Sequence, residues 1–280
     1  MEIFQLVSEL EDRLHSIRSK DKRLGFVPTM GALHKGHAEL IKRCVKNNDF
    51  CIVSIFVNPT QFNNKEDLIF YPRTLNKDLQ LLEDIGVDFV FTPNEKEMYP
   101  EPDDRIFDFG QLDKVMEGSF RPGHFNGVAQ IVSKLFQYIQ PDRAYFGEKD
   151  FQQFAIVKSM VDQLKLNIEI VSVPTVRESS GLAMSSRNQR LSFDLKKSAS
   201  EIYRVLQKSK TKMHNFTPAQ AADYVVKAIN DVPELSVEYF EIVDGNSLKP
   251  TTSWFDSNFI VGCIAVLCGD VRLIDNIRYK

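Results

Sequence analysis

Short apolar runs alternate with amphipathic helical patterns along the first two-thirds of the chain. Residues 24–27, 50–57 and 87–91 form apolar runs of the length typical of buried strands. Between these runs, apolar residues recur at helical spacing, at positions 40, 41, 44 and 45 and again at 75, 79, 82 and 85. Alternating strands and helices are typical of parallel sheets that helices cover. The pattern therefore predicts an α/β fold with a Rossmann-like parallel sheet and helices on both faces.

The alternation continues to about residue 173 and then changes character. Before that point, further helical patterns and strands are expected at 128–139, 144–146, 151–164 and 168–173. After it, two helical patterns precede two strand-like runs, at 194–209, 218–230, 237–243 and 259–267. We therefore expect two domains, a Rossmann-like domain of residues 1–175 and a smaller C-terminal α+β domain of residues 176–280.

Composition narrows the class of protein. The 280 residues are 43% hydrophobic and 26% charged, which is ordinary for a globular protein and excludes a disordered or fibrous class. With 35 basic against 38 acidic side chains, the net charge of −3 argues against a broad nucleic-acid surface. No apolar run is long enough to cross a bilayer, and the N-terminus lacks a signal-peptide pattern. From the charge and the apolar runs we expect no nucleic-acid or membrane partner. The cysteines lack paired spacing, which indicates a reducing, cytoplasmic environment: Cys44, Cys51, Cys263 and Cys268.

The segment PTMGALHKGH, residues 28–37, is the first candidate for chemistry. It follows a predicted strand and opens a predicted helix, so His34 and His37 share one face of the first turn. Three interpretations are open: a metal pair, a phosphate cradle or an ordinary helix start. A metal pair lacks a third ligand at any usual spacing. The strand–turn–helix context and the flanking glycines favour the phosphate cradle.

Further polar segments are candidates, and two of them, NPTQF (58–62) and GEKDFQQ (147–153), directly follow predicted strands. GEKDFQQ (147–153) and GLAMSSRNQRL (181–191) each combine a glycine with groups that suit phosphates, although helix caps and polar loops have similar residues. The neutral amides of Gln61 and Gln153 could each donate a hydrogen bond to a substrate hydroxyl or carboxylate. The alternative is that both are ordinary surface glutamines. EGSFRPGHFNG (117–127) fits either a turn or an anion site. The carboxyl ends of parallel strands are where such segments bind ligands.

Taken in order, these segments resemble one family. The motifs, spread over most of the chain, are PTMGALHKGH, NPTQF, YPRTL, RPGHFNGV, FGEKDFQQ, GLAMSSRN and RLIDN. Together they are similar to the pantothenate synthetase (pantoate–β-alanine ligase) family of HIGH-motif, nucleotidyltransferase-like proteins. In this resemblance residues 34–37 are the HxGH motif and residues 184–187 are a second phosphate loop.

The resemblance implies a ligase of pantothenate biosynthesis, in the coenzyme A pathway. The expected reaction is the ATP-dependent condensation of pantoate with β-alanine to pantothenate through pantoyl adenylate, with release of AMP and pyrophosphate. ATP with Mg²⁺ is the expected co-substrate, and a homodimer is the expected assembly. The first domain would bind nucleotide and pantoate, and the smaller domain would close over the site.

The resemblance also implies roles for particular residues. It gives catalytic roles to His37, His34, Lys149 and Arg187. It assigns ATP binding to Met30, Gly31, Ala32, Leu33, His34, Lys35, Gly36, His37, Gly147, Glu148, Lys149, Asp150, Val176, Met184, Ser185, Ser186 and Arg187. Pantoate and β-alanine are assigned to Gln61 and Gln153, and no protein metal ligand is expected.

The chain departs from the family pattern at a few positions. Ile69 and Phe70 are unusual for a mobile loop that the family places there, and Val271 stands where a threonine is more usual. Other functions also fit the motifs. They are another nucleotidyltransferase of the same superfamily, an inactive nucleotide-binding module, and a tRNA-charging enzyme, which the net charge disfavours.

Overall fold

The computed structural model describes residues 1–18, 22–63 and 65–280, and it divides the chain into two compact units. Unit 1 comprises Met1–Phe109, Arg121–Glu148 and Gln153–Pro174. Unit 2 comprises Gly110–Phe120, Lys149–Gln152 and Thr175–Lys280. The last segment of unit 2 begins next to the expected boundary at 175/176. The two shorter segments of unit 2 lie in the part of the sequence that we assigned to the first domain.

Unit 1 contains a six-stranded parallel sheet. Its strands are β1 (Glu2–Phe4), β2 (Leu24–Thr29), β3 (Phe50–Ile55), β4 (Phe89–Phe91), β5 (Arg143–Gly147) and β6 (Glu169–Val173). They lie in the order β1-β4-β3-β2-β5-β6, and all neighbours pair in parallel. The predicted fold class is thereby confirmed. The three-residue strand β1 was not predicted, because it is too short for a periodic signal.

Eight helices belong to this part of the chain or adjoin it among the described residues. They are α1 (Val7–Ile17), α2 (Lys35–Asn47), α3 (Lys65–Ile69), α4 (Leu75–Ile85), α5 (Glu95–Met98), α6 (Glu117–Phe120), α7 (His124–Ile139) and α8 (Phe151–Gln163). No helix in the described ranges is both long and apolar enough to cross a membrane.

Neighbouring residues of β2 point to opposite faces of the sheet and pack against different helices. Val27 packs with Ile41 of α2 and Leu82 of α4 in one apolar cluster. Phe26 meets Phe136 of α7 edge-on, with ring centroids 6.2 Å apart. Because successive strand residues face opposite sides, the two contacts show that helices cover both faces. Strand β2 is therefore buried on both sides, which explains its continuous apolar run.

Unit 2 is built around a three-stranded antiparallel sheet with two helices. The helices are α9 (Phe193–Thr211) and α10 (Pro218–Asn230), and the strands are β7 (Leu235–Asp244), β8 (Ile260–Cys268) and β9 (Val271–Arg278), in the order β7-β8-β9. Strand β9 was not predicted. Its positions 271, 273, 275 and 277 are buried in alternation. One of them is Asp275, so the apolar alternation is interrupted in the sequence.

A buried ion pair fixes segment Gly110–Phe120 in unit 2. Glu117 is 7% exposed, and both of its oxygens accept from Arg272 of β9, at 2.9 and 2.7 Å. Tyr239 of β7 donates to the same carboxylate at 2.9 Å. Burial, followed by the charge of Glu117, raises the pKa of Tyr239, so its hydroxyl stays a donor. These contacts explain why this segment belongs with the small sheet.

Candidate active site

In unit 1, the predicted site residues follow three neighbouring strands. Strands β3, β2 and β5 are adjacent and parallel. Residues 30–37 follow β2, residues 58–61 follow β3, and Gly147 ends β5. The chain continues from β2 to β3 in one direction and from β5 to β6 in the other. Open parallel sheets bind ligands where the direction of winding changes in this way. The carboxyl edge at β2 and β5 is therefore the candidate site of unit 1.

A left-handed turn joins β2 to α2. Gly31 has φ +76° and Ala32 has φ +49°. A Cβ on Gly31 would lie 3.0 Å from Cγ2 of Ile55 and 3.1 Å from Oδ2 of Asp78, so the turn needs glycine there. Asp78, on α4, accepts the N–H groups of Ala32 at 2.9 Å and Leu33 at 2.8 Å. A buried carboxylate thus holds this turn.

Two histidines cap the first turn of α2. Nδ1 of His34, the N-cap residue, accepts the N–H of Gly36 at 3.1 Å, and the N–H of His34 donates to Nδ1 of His37 at 3.3 Å. This reciprocal arrangement is a capping box, made here from two imidazoles. Each Nδ1 is an acceptor, so each ring carries its proton on Nε2. The rings stack with centroids 4.1 Å apart.

Gln61 contacts the same turn. It ends the short 3₁₀ helix Pro59–Gln61 and is 9% exposed. Its Nε2 donates to Sδ of Met30 at 3.1 Å, and its Oε1 accepts from Nδ2 of Asn58 at 3.3 Å. The structure therefore brings together two residues that the sequence placed on different ligands, Gln61 on pantoate and Met30 on ATP.

Helix α7 fixes the backbone of Gln61. Nδ1 of His124 lies 2.8 Å from the carbonyl oxygen of Gln61. A carbonyl only accepts, so the His124 ring carries its proton on Nδ1. A Cβ on Gly127 would lie 2.6 Å from the carbonyl oxygen of Thr60, so glycine permits this close approach. For segment 117–127 the sequence left a turn and an anion site open, and here its histidine binds backbone.

The remaining predicted residues of unit 1 lie around the end of β5. Glu148 follows Gly147, and its Oε1 accepts from the hydroxyl of Ser172 at 3.1 Å. Gln153 is the third residue of α8 and is half-buried. Within the described part of the chain, no hydrogen bond joins Gln153 to Gln61. The two amides therefore lie on separate segments of unit 1 and do not form a bonded pair.

In unit 2, β9 supports the segment that carries Lys149 and Asp150. Nζ of Lys149 lies 3.3 Å from Oδ1 of Asp150, and the Lys149 side chain is 18% exposed. Nδ2 of Asn276 donates to the carbonyl oxygen of Lys149 at 3.0 Å. Asn276 belongs to the motif RLIDN, to which the sequence assigned no role. The structure gives that motif a role in holding the lysine segment.

The other predicted ATP ligands of unit 2 lie on one folded loop. The N–H of Met184 donates to the carbonyl oxygen of Val176 at 2.9 Å. Oγ of Ser185 accepts the N–H of Arg187 at 3.2 Å and caps the 3₁₀ helix Ser186–Arg190. The structure thus brings Val176 next to residues 184–187, so that these predicted ATP ligands lie side by side in one loop.

An ion pair inside unit 2 shapes this loop. Arg177 donates to both carboxylate oxygens of Asp275 on β9, at 2.6 and 2.8 Å, and to the carbonyl oxygen of Gly181 at 3.1 Å. Its guanidinium lies 3.5 Å from the ring centroid of Tyr203. Asp275 is 6% exposed. The turn before Met184 is therefore tied to the sheet of unit 2.

Sequence reasoning missed the supporting residues of both units. Asp78, Asn58, Arg177, Asp275 and Asn276 hold the predicted segments in place but were not singled out. Three family motifs were available as signals: NPTQF, which contains Asn58, YPRTL, which ends shortly before Asp78, and RLIDN, which contains Asp275 and Asn276. A motif does not show what its residues bind, because these residues contact segments that are far apart in the sequence.

The described residues offer no preformed metal cage. Across 1–18, 22–63 and 65–280, no three His, Cys, Asp or Glu side chains cluster so that they could hold a metal ion. The four cysteines are free and buried. Any metal ion at these segments would therefore need other ligands, such as the oxygens of a bound phosphate.

Comparisons with known proteins cover the whole chain. A pantothenate synthetase from Bacteroides thetaiotaomicron is 56% identical over 280 residues, which are 100% of this chain and 99% of that protein. The crystal structure of pantothenate synthetase from Thermus thermophilus superposes with a TM-score of 0.93 at 42% identity, over 100% of both chains.

A third relative was solved with ligands. The pantoate-beta-alanine ligase from Francisella tularensis, complexed with beta-gamma ATP and beta-alanine, has a TM-score of 0.85 at 36% identity, over 100% of this chain and 98% of that chain. The sequence model of the family described as pantoate-beta-alanine ligase matches residues 2–278. With its sheet, its histidine-capped turn and these matches in agreement, the chain belongs to the pantoate-beta-alanine ligase family.

Proposed function

We propose that this protein condenses pantoate with β-alanine in an ATP-dependent reaction that passes through pantoyl adenylate. The products are pantothenate, AMP and pyrophosphate. Membership of the ligase family supports the overall reaction. The observation that carries the first step is the stacked pair His34 and His37, whose rings carry their protons on Nε2 and which lies at the sheet edge where open α/β sheets bind ligands.

In the first step, a carboxylate oxygen of pantoate attacks the α-phosphorus of ATP. The bond from that phosphorus to the bridging oxygen breaks, and pyrophosphate leaves with the electron pair. Because the substrate supplies the nucleophile, the protein needs only to align two anions and to stabilise charge on the leaving group. His34 and His37 are proposed to donate their Nε2–H groups to phosphate oxygens. Lys149 and Arg187, cations of unit 2, are proposed to serve the same step.

In the second step, the amine of β-alanine attacks the acyl carbon of the adenylate. An amide bond forms, the bond from the acyl carbon to the AMP oxygen breaks, and the amine loses a proton. AMP leaves with the oxygen that came from pantoate. No covalent bond to the protein is needed in either step.

Pantoate is proposed to bind at the amides of Gln61 and Gln153, with β-alanine near Gln61. A primary amide both donates and accepts, so it suits the hydroxyls and the carboxylate of pantoate. Gln61 is buried and its backbone is fixed by His124. Its position against Met30 supports a place for pantoate next to the histidine-capped turn.

Mg²⁺ is proposed to bind with ATP. Magnesium prefers oxygen ligands and often binds through substrate phosphates with few protein ligands. Its ligands would then be phosphate oxygens and water, so this mode needs no cluster of protein ligands. When bound, the ion would neutralise part of the phosphate charge.

Assembly and location are also proposals. The family resemblance supports a homodimer, and the four free cysteines support a reducing, cytoplasmic environment. Sedimentation equilibrium of the purified protein tests the dimer. That the smaller domain closes over the site stays a prediction.

Exchange of label between pyrophosphate and ATP tests the adenylate directly. With ATP, Mg²⁺ and pantoate but no β-alanine, the reversible first step should move labelled pyrophosphate into ATP. Omitting pantoate should abolish the exchange. Exchange that does not need pantoate, or that appears only with β-alanine, would contradict the proposed order of steps.

A further inference from the structure

Asp78 has an environment that its sequence context does not explain. It lies on α4, and its carboxylate is 2% exposed. Besides the N–H groups of Ala32 and Leu33, it accepts from the hydroxyl of Thr74 at 3.1 Å. The carboxylate therefore has three donors in the described structure, of which two belong to the turn before α2.

The turn has the geometry of an anion-binding nest. Successive N–H groups converge on one anion where the backbone adopts left-handed conformations, as it does at Gly31 and Ala32. Such nests commonly cradle phosphates. In this protein the anion in the nest is the side chain of Asp78.

This occupancy changes which groups can meet a nucleotide. The N–H groups of Ala32 and Leu33 already donate to Asp78, and those of His34 and Gly36 donate to the capping imidazoles. These four N–H groups of the segment are therefore already bonded within the protein, and the imidazole rings cap the helix through their Nδ1 atoms. The position of those rings depends on the turn that Asp78 holds.

We propose that Asp78 is a positioning residue that sets the tautomer and place of the His34 and His37 rings. That Asp78 matters for catalysis rests on the proposed function. That Asp78 positions the two rings does not depend on that function. The variant Asp78→Asn preserves the shape of the side chain but turns an NH₂ group towards one of the donors. One N–H of the turn then loses its acceptor, which should release the turn and the cap that follows it.

Imidazole ¹⁵N spectra report on the rings without any substrate. The chain has five histidines, so their signals can be resolved and assigned with His34→Asn and His37→Gln. In the wild type, His34 and His37 should show the Nε2–H tautomer, while His124 shows Nδ1–H and serves as an internal reference. In Asp78→Asn, the first two should move to mixed tautomers and His124 should not change.

The control is Asp88→Asn. Asp88 also accepts a backbone N–H, that of Cys51 at 2.8 Å, but it precedes β4 at the amino end of the strands. This variant should leave the spectra of His34 and His37 and the rate of pyrophosphate release unchanged. Unchanged His34 and His37 signals in Asp78→Asn would overturn the proposal.

Activity provides the second measurement. Pantoate-dependent pyrophosphate release by Asp78→Asn should fall by about 10²-fold, the loss that a catalytic group displaced by about 1 Å incurs. The KM for pantoate should stay within about twofold, because Asp78 makes no hydrogen bond to Gln61 or Gln153 among the described residues. Altered spectra with an unchanged rate would also overturn the proposal. If the wild type released no pyrophosphate, the proposed function would fail, and the spectra would still decide the role of Asp78.

A milder variant covers the case in which Asp78→Asn does not fold. Thr74→Val keeps the β-branched shape and removes only the hydroxyl donor to Asp78. It should shift the same two signals by less and lower the rate by roughly threefold, as expected for one weakened hydrogen bond. Wild-type spectra and rate in Thr74→Val, with Asp78→Asn unfolded, would overturn the proposal.

Discussion

At the scale of residues, His34 and His37 combine a structural and a chemical task. Helix N-caps are usually Ser, Thr, Asp or Asn, whose oxygens accept the first N–H groups. Here two ring nitrogens do so, and the same bonds fix the proton on the opposite nitrogen of each ring. Replacing either histidine by alanine therefore removes a cap and a donor together, and the two effects need to be separated.

Glutamine at position 37 separates the effects. A glutamine at the third position of a helix can complete a capping box, so His37→Gln should keep the bond to the N–H of His34. We expect His37→Gln and His37→Ala both to lower pyrophosphate formation by about 10²–10³. His37→Ala should also lose roughly 0.5–1.5 kcal/mol of unfolding free energy relative to His37→Gln. Single-turnover kinetics and urea unfolding measure the two quantities.

The exposed His214 provides the control for the histidine variants. His214→Ala should keep the wild-type rate and stability. Near-normal single-turnover adenylation in His37→Gln would show that the imidazole does not serve the first step.

Gln153 tests the assignment of pantoate. Gln153→Ala should weaken pantoate binding by about tenfold, as expected for a lost hydrogen bond of roughly 1.4 kcal/mol, and leave ATP binding unchanged. Calorimetry with each ligand alone measures both. The control is Gln163→Ala at the exposed end of the same helix, which should change neither affinity. Equal weakening of both ligands would mean that the start of α8 had been disturbed.

At the scale of elements, β9 does more than complete a sheet. Its buried face carries Asp275, which binds Arg177, and its other face carries Asn276, which binds the backbone of Lys149. One strand thus supports both of the unit 2 segments that the family resemblance assigns to ATP.

Breaking the Arg177–Asp275 pair should destabilise unit 2. In Asp275→Asn a guanidinium that is 17% exposed loses its carboxylate partner, and such losses cost about 3–5 kcal/mol. We expect a decrease of this size in the free energy of unfolding, measured by urea titration. The control is Glu201→Gln, which breaks an exposed pair with Arg204 on α9 and should cost less than about 1 kcal/mol. Equal effects of the two variants would contradict the structural role of the pair.

The elements also show how far the sequence could be interpreted. Strands β2 and β3 were predictable because each is a continuous apolar run, and helices α2 and α10 were predictable because their apolar residues recur at helical spacing. Strand β9 was not, because Asp275 occupies a buried position that an apolar residue would have signalled. Asp78 was missed for a different reason: its backbone partners at positions 32 and 33 are more than forty residues away in the sequence.

At the scale of the whole molecule, the chain does not divide at a single point. Segments Gly110–Phe120 and Lys149–Gln152 belong to unit 2, although unit 1 residues surround them in sequence. Met116 is fully buried there, and Glu117 binds Arg272. A cut at residue 175 would therefore separate Glu117 from Arg272 and Met116 from most of unit 2.

A split at this point tests that organisation. Residues 1–175 expressed alone should aggregate, because Glu117 loses its partners in β7 and β9 and the buried side chain of Met116 loses the rest of unit 2. Expressed together with residues 176–280, the fragment should be soluble and copurify with its partner. As a control, a 1–175 fragment with residues 110–120 replaced by a Gly/Ser linker should be more soluble than the original fragment. A soluble, unaltered 1–175 fragment would contradict the assignment of 110–120 to unit 2.

The fate of one oxygen atom tests the central claim, that pantoate is activated as an adenylate. Pantoate labelled with ¹⁸O in its carboxylate is converted with ATP and β-alanine, and the products are analysed by mass spectrometry. The account predicts one ¹⁸O in the phosphate of AMP and none in pyrophosphate, because the attacking oxygen leaves with AMP. Label in inorganic phosphate with ADP as the nucleotide product, or unlabelled AMP, would contradict it.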